Sequence, residues 1–271
     1  MKIRVSLVDY LNSAPLGWAF LHGPMKERFL VLPSSPARCA EQLATGEADI
    51  GLIPSIEYQR IPDLQIIPGI SVAARNEVRS VLLVQPRDAG EIHSVALDTS
   101  SRTSVVLLKL LLKMKLGCEP RYEEHPPDLE YMLRCCDAAL IIGDAALKLS
   151  PDQYGITDLA SEWIRWQQRP FVFAFWACRS NPSLAEDLVD IFQSAREWGL
   201  QRREEIVASF SRRLGLPVSF LREYLVHNID YEFSSKHVEG LELFFRLAFE
   251  AGLTTQHTPA RFLGMPVESR T

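Results

Sequence analysis

SVALDTSSRTSVVLLKLLLKMKLG, residues 94–117, carries a short apolar run (Val95–Leu97) through the polar stretch Thr99–Ser104 into a segment with apolar side chains at helical spacing, closed by Gly117. A strand that passes through a polar turn into an amphipathic helix, stopped by a glycine, is one step of an α/β fold. The residues before it have a different texture. IIPGISVAA (66–74), a charged turn from Arg75 to Arg79, and SVLLVQP (80–86) read as two extended strands with no helix between them. The step at 94–117 therefore opens a second unit.

The first unit lies N-terminal to those strands. IRVSLV (3–8), a helix near 13–22, FLVLP (29–33), a helix over 36–46 and ADIGLIP (48–54) alternate strand and helix. Pro36 after Ser35, with Ala37, Cys39, Ala40, Leu43 and Ala44 following, predicts a helix that opens at Ser35 and closes at Gly46. On the C-terminal side, CDAALIIGDAAL (136–147) repeats the grammar of ADIGLIPSIEY (48–58): an Asp-led buried strand, a polar turn, another helix. RPFVFAFWAC (169–178) is long and extended, able to return the chain to the first unit. Asn181 then reads as a helix cap, with Leu184, Leu188, Ile191, Phe192 and Ala195 on one face, before REEIVASFSRRLG (203–215) and VEGLELFFRLAFEAGL (238–253). The pattern predicts a two-lobed α/β fold with a ligand cleft between the lobes. Lobe I takes residues 1–88 plus 177–271, lobe II takes 89–176, and hinge crossovers fall near 81–88 and 171–178.

Composition narrows the function. The 271 residues are 47% apolar, enough for a sizeable core, and carry a formal net charge of -5 with Lys and Arg spread along the chain. No basic stripe is available to track a phosphate backbone, so nucleic acid is not an expected partner. MKIRVSLVDYLNSAPL (1–16) places a short apolar run after two basic residues, but Asp9 and Asn12 interrupt it, and it reads as a first strand rather than an export signal. No stretch approaches the ~20 apolar residues of a membrane span, Lys109 and Lys113 breaking the nearest one. The expectation is a cytoplasmic protein with no membrane partner. Five cysteines (Cys39, Cys118, Cys135, Cys136, Cys178) show no CxxC or Cys/His ligand spacing and read as reduced structural thiols, with no metal site.

Four segments put short polar side chains where strands run into helices: Asn12-Ser13, Ser55 to Tyr58, Ser100 to Ser104, and Gly143-Asp144. Each taken singly serves as a helix cap, whereas all four converging on one cleft would serve a ligand, because helix N-termini at strand ends offer unpaired N–H groups. Ser100, Ser101, Thr103 and Ser104 with Arg102 suit a carboxylate, though Arg102 can equally lie in solvent. Glu57 and Asp144 are the acid–base candidates within the turns; His22, His93, His125, His227, His237 and His257 are scattered without a nucleophile or metal spacing. Ser13 and Ser101 lack a nucleophile elbow. Tyr10, Trp18, Tyr58, Phe171, Phe173, Phe175 and Trp176 bring aromatic area near the cleft and hinge. Strand alternation lets only one set of the 171–176 side chains face a ligand.

In order and spacing, VDYLNSAPL (8–16), ADIGLIPSIEY, SVLLVQP, VALDTSSRTSVVLLKLLL (95–112) and DAALIIGDAAL (137–147) resemble the chorismate dehydratase family of the futalosine route to menaquinone. The resemblance covers about residues 3–180, and YEFSSKHVEGLELFFRLAFEAGL (231–253) is similar to that family's closing helix. It implies a fold of the type II periplasmic-binding-protein kind, no cofactor or metal, chorismate as the small-molecule partner, and loss of water to give 3-[(1-carboxyvinyl)oxy]benzoate. It implies that the 99–104 turn holds the ring carboxylate. Asn12 and Ser13 would take the enolpyruvyl carboxylate or the leaving hydroxyl, with Ser55 and Tyr58 closing the other side. Three bases stay open: Asp144, Glu57 and the substrate's own side-chain carboxylate. A sister enzyme of the route has isoleucine-histidine-glutamate where this sequence has Ile142-Gly143-Asp144, and the missing histidine argues against that sister's reaction on a futalosine derivative. A non-catalytic carboxylate-binding protein of the same fold is the rival reading. Oligomeric state is not readable from the sequence.

Overall fold

The computed structural model describes residues 2–179 and 185–264. Along the chain come β1 (Ile3–Val8), α1 (Ala14–His22), β2 (Phe29–Ser34), α2 (Pro36–Thr45), β3 (Ile50–Pro54), β4 (Leu64–Ala74), β5 (Val81–Pro86) and β6 (Ser94–Asp98). Next are α3 (Thr103–Leu110), β7 (Arg121–His125), α4 (Leu129–Cys135), β8 (Ala138–Ile142), α5 (Gly143–Ala146), β9 (Tyr154–Asp158), α6 (Leu159–Gln167) and β10 (Phe171–Arg179). The remainder is α7 (Ala185–Gln201), α8 (Arg203–Leu214), α9 (Val218–Glu223), β11 (Asp230–Phe233) and α10 (Ser235–Glu250).

Two sheets divide these strands. The first is six-stranded, in the order β11-β4-β10-β3-β1-β2; the second is five-stranded, in the order β7-β6-β8-β5-β9. In each sheet parallel crossovers are joined to antiparallel strands: β1 runs parallel to β2 and β3 while β10 opposes β3 and β4, and β6 runs parallel to β7 and β8 while β5 opposes β8 and β9. Both crossings between sheets fall earlier than the expected 81–88 and 171–178. Val81–Val84 pair with Ala139–Ile142, so all of β5 belongs to the second sheet, and all of β10 belongs to the first. The chain changes lobes between Ala74 and Val81 and again between Gln167 and Phe171. Apolar β-branched strands look alike whichever sheet they join, so only the pairing locates the crossings.

Local signals place the helices. The Ser35 hydroxyl accepts from Arg38 N at 3.3 Å, Pro36 occupies the first turn, and Gly46 closes α2 in the left-handed region. Helix α3 continues through a π turn (Leu111–Lys115) to Gly117, also left-handed. The Asn181 cap and Leu184 lie outside the described residues, but Leu188, Phe192 and Ala195 are buried as the α7 face requires. Trp163, Trp176, Phe20, Phe171, Phe175 and Phe192 are among the largest side chains of the core. The C-terminal segment is tied back onto lobe I: Gln59 bonds Thr258 in both directions, and Ile66 bridges Phe262. No helix of the described residues is long and apolar enough to cross a membrane.

Candidate functional site

The carboxyl end of β1, the turn after it, and the α3 and α5 starts in lobe II face one another across a cleft open to solvent. Lobe I contributes Tyr10, Asn12 and Ser13, with Val8, Pro54, Val72 and Val78 as apolar walls; lobe II and the crossings contribute Ser80, Ser101–Ser104 and Gly143. Phe173 and its neighbour Ala174 both line the cleft. Strand alternation forbids that, but a register shift between Val172 and Ala174 bulges β10 and turns adjacent residues to the same side.

The 99–104 turn is built on a buried carboxylate. Asp98 Oδ1 accepts from Ser100 N at 2.8 Å and from the Ser100 hydroxyl at 2.6 Å, and burial pushes the Asp98 pKa up. With its proton committed to Asp98, Ser100 accepts from the Tyr10 hydroxyl at 3.3 Å, a contact that spans the two lobes. Burial likewise raises the Tyr10 pKa, which keeps the phenol a donor. Ser101 Oγ is buried with no partner among the described residues and lines the cleft, beside the unpaired first-turn N–H groups of α3. Arg102 folds back onto its own loop, donating to Thr99 O at 3.1 Å and lying 3.6 Å from Glu41, so its charge sits at the rim. Asn12 is held by its own carbonyl, which accepts from Tyr231, and by Oδ1, which accepts from Ser13 Oγ at 3.0 Å. Its amide also meets the buried Tyr224 hydroxyl.

Gly143 sits at φ 65°, and a Cβ there would lie 2.6 Å from the Tyr10 ring. Glycine is required on both counts, the backbone region and the close approach. Ser80 was missed by the sequence reading: its Oγ accepts from the buried Tyr224 hydroxyl at 2.7 Å, leaving its own proton to point elsewhere, and it lines the cleft. Nothing local marks it, because Tyr224 lies far along the chain.

Besides Ser100, four of the expected residues lie outside the cleft lining. Ser55 Oγ donates to Val172 O at 2.8 Å and lies 3.3 Å from Thr103 Oγ1, which accepts from Ile56 N; these bonds lock the 55–59 turn to β10 and α3. Glu57 pairs with Arg60 at 2.6 Å outside the cleft. Tyr58 stacks on Phe245, donates to Pro259 O at 3.1 Å and accepts from Arg261 N at 2.9 Å. Tyr58→Phe is expected to lower unfolding stability by about 1–3 kcal/mol in chemical denaturation, with ligand affinity unchanged, because only the anchor of the C-terminal segment is lost.

Asp144 is the fourth. Its Oδ1 accepts from Leu11 N at 2.9 Å and its Oδ2 from Arg213 at 2.7 Å, while Arg213 also reaches Asp9. This is a strap between lobes that fixes the Asn12 turn, and it occupies both carboxylate oxygens. Burial raises the Asp144 pKa while Leu11 N and Arg213 oppose the rise. Among the described residues the cleft is therefore lined by no carboxylate and no imidazole; Tyr10 and Arg102 are its titratable side chains.

The family described as menaquinone biosynthesis matches residues 3–250. A chorismate dehydratase from Thermus thermophilus is 36% identical over 258 residues, covering 89% of this chain and 93% of the relative. Among solved structures, protein AF1704 from Archaeoglobus fulgidus superposes with a TM-score of 0.78 at 18% identity, covering 93% of this chain and 98% of that one. The periplasmic aliphatic sulphonate-binding protein SsuA from Escherichia coli superposes at 0.63 and 16% identity, covering 100% and 96%. At those identities the two structures establish the fold, a two-lobed one shared with periplasmic binding proteins.

Proposed function

The chain belongs to the menaquinone biosynthesis family, and from that premise we propose that it is a lyase that removes water from chorismate to give 3-[(1-carboxyvinyl)oxy]benzoate, the activity for which its Thermus thermophilus relative is named. The ring carbon that bears the enolpyruvyl ether is conjugated through an alkene to the ring carboxylate. Removing its proton therefore sends charge into that carboxylate, and the site must stabilise an oxyanion. Ser101 Oγ and the α3 N-terminus supply donors for it. The amide of Asn12, with Ser13 beside it, lines the same cleft and suits the leaving hydroxyl or the side-chain carboxylate.

The observation that carries the mechanism is a cleft whose lining, among the described residues, has no carboxylate or imidazole. The base is then the substrate's own enolpyruvyl carboxylate, held next to the proton by the ether linkage. It takes the ring proton; the C–H electron pair enters the ring; the neighbouring C–O bond breaks, and the departing hydroxide takes that proton and leaves as water. Gly143, with the Tyr10 ring against it, supports this reaction over that of the sister enzyme, since the cleft has no room for the sister's histidine. The two crossings act as hinges about which the lobes close, and the five free thiols support a cytoplasmic setting.

Asp144→Asn separates strap from base. The variant keeps an acceptor for Leu11 N and loses the charged bond to Arg213, half-exposed and so worth about 1 kcal/mol. Steady-state kinetics is expected to show KM raised about fivefold with kcat held, whereas loss of a base would lower kcat by about 10²–10⁴-fold. The reaction itself is tested by mixing the purified protein with chorismate and following products by chromatography and mass. The expected product is an acid lighter by one water, at a rate proportional to protein. Binding without turnover would make this a carboxylate-binding protein instead.

A further inference from the structure

A second cluster of reactive side chains lies on lobe II outside the cleft. Glu123 and His125 stand two residues apart on the edge strand β7 and so share a face, and Cys136 follows α4, which packs on the neighbouring strands β8 and β6. One ligand atom from each, a carboxylate oxygen, an imidazole nitrogen and the thiol sulfur, lie within 4.8 Å of one another. His125 Nε2 is buried and makes no hydrogen bond, although Glu123 Oε2 lies 3.4 Å away. A buried ring nitrogen without a partner is costly unless something else meets it. We propose that Glu123, His125 and Cys136 are three ligands of a Zn²⁺ site, with water completing the tetrahedron.

The donor set fits that ion. Thiolate, imidazole and carboxylate together suit zinc better than magnesium or calcium, which take oxygen alone. Zinc bonds of about 2.0–2.3 Å place tetrahedral ligand atoms roughly 3.3–3.8 Å apart, so the cluster closes with a movement of about an ångström. Neighbouring groups already orient the ligands. Arg121 holds Glu123 Oε1 at 3.0 Å, which leaves Oε2 toward the histidine, and the Tyr131 ring packs edge-on against the imidazole with centroids 5.5 Å apart. Cys136 binds as the thiolate, and its proton goes to solvent as the zinc–sulfur bond forms.

The site pins the edge of the second sheet. His125 O accepts from Thr99 N at 3.0 Å, so the strand carrying two of the ligands also braces the 99–104 turn of the cleft. The expectation of no metal site rested on sequence spacing, and an E-x-H pair on a strand with a cysteine beyond the next helix matches no zinc signature. The ion would brace lobe II and take no part in the bond changes of the dehydration.

Titrating the purified full-length chain with Co²⁺ tests the proposal. The expected result is a sulfur-to-cobalt charge-transfer band with tetrahedral visible bands, saturating at one ion per chain and displaced by Zn²⁺. Cys136→Ser abolishes the charge-transfer band, His125→Gln weakens binding more than tenfold, and Cys135→Ser leaves both unchanged. One equivalent of Zn²⁺ raises the thermal midpoint of the wild-type chain and not that of the Cys136 variant. Absence of the band in the wild-type chain overturns the site, as does its survival in a folded Cys136→Ser variant.

Discussion

Replacing Gly143 with histidine is expected to destabilise the chain by about 2–5 kcal/mol and to lower turnover by at least about 10²-fold. Two independent costs add. A Cβ in the left-handed region at φ 65° costs about 1–2 kcal/mol, and one built 2.6 Å from the Tyr10 ring forces a further rearrangement of about 1–3 kcal/mol. The ring cannot yield without consequence, because its hydroxyl reaches Ser100 across the cleft and Ser100 in turn holds Asp98. Alanine at 143 brings both costs without an imidazole, so it should show most of the loss in denaturation and in turnover. Adding Tyr10→Ala to Gly143→Ala is expected to return part of the stability, by removing the clash, and none of the activity. Gly143→Ala within twofold of wild type in both measurements would mean that the lobes do not close onto each other at this point.

How much of this was legible in the sequence depended on whether a residue's role was local. Ser35, Pro36 and Gly46 act on the helix they flank, and α2 starts and stops where they predict. The strand-to-helix turns are local too, and Asn12, Ser13, Ser101–Ser104 and Gly143 do converge on one cleft. Ser55, Glu57 and Asp144 followed the same pattern yet serve other ends. A short polar side chain at a strand end bonds whatever backbone lies opposite, and for these three that is Val172 O, the guanidinium of Arg60, and Leu11 N with Arg213. Ser80 carried no signal because its partner Tyr224 comes from the C-terminal helices. The lobe boundaries shifted for a related reason: β5 and β10 are assigned to sheets by long-range pairing, and neither strand's composition records its partner.

Chorismate blocked as the methyl ester at its enolpyruvyl carboxylate is expected to occupy the cleft and turn over about 10²–10⁴-fold more slowly than chorismate, the usual cost of removing a general base. The expected loss follows from what lines the cleft. Its titratable groups are a phenol whose pKa is raised by burial and a guanidinium turned back on its own loop, and neither accepts a proton near neutrality. The side-chain carboxylate, by contrast, is tethered through the ether oxygen to the carbon that loses the proton, and intramolecular delivery of this kind needs only that the enzyme fix the side chain's rotamers. Esterifying the ring carboxylate instead should weaken binding as well as turnover, because in the proposed binding mode that group meets the Ser101 hydroxyl and the α3 N-terminus and also receives the developing charge. The two esters thus separate base from electron sink. Turnover of the side-chain ester within tenfold of chorismate would place the base on the protein. Asp144 would then have to leave its strap to Leu11 and Arg213 during the reaction, and the Asp144→Asn kinetics would show a fall in kcat where the strap alone gives a rise in KM.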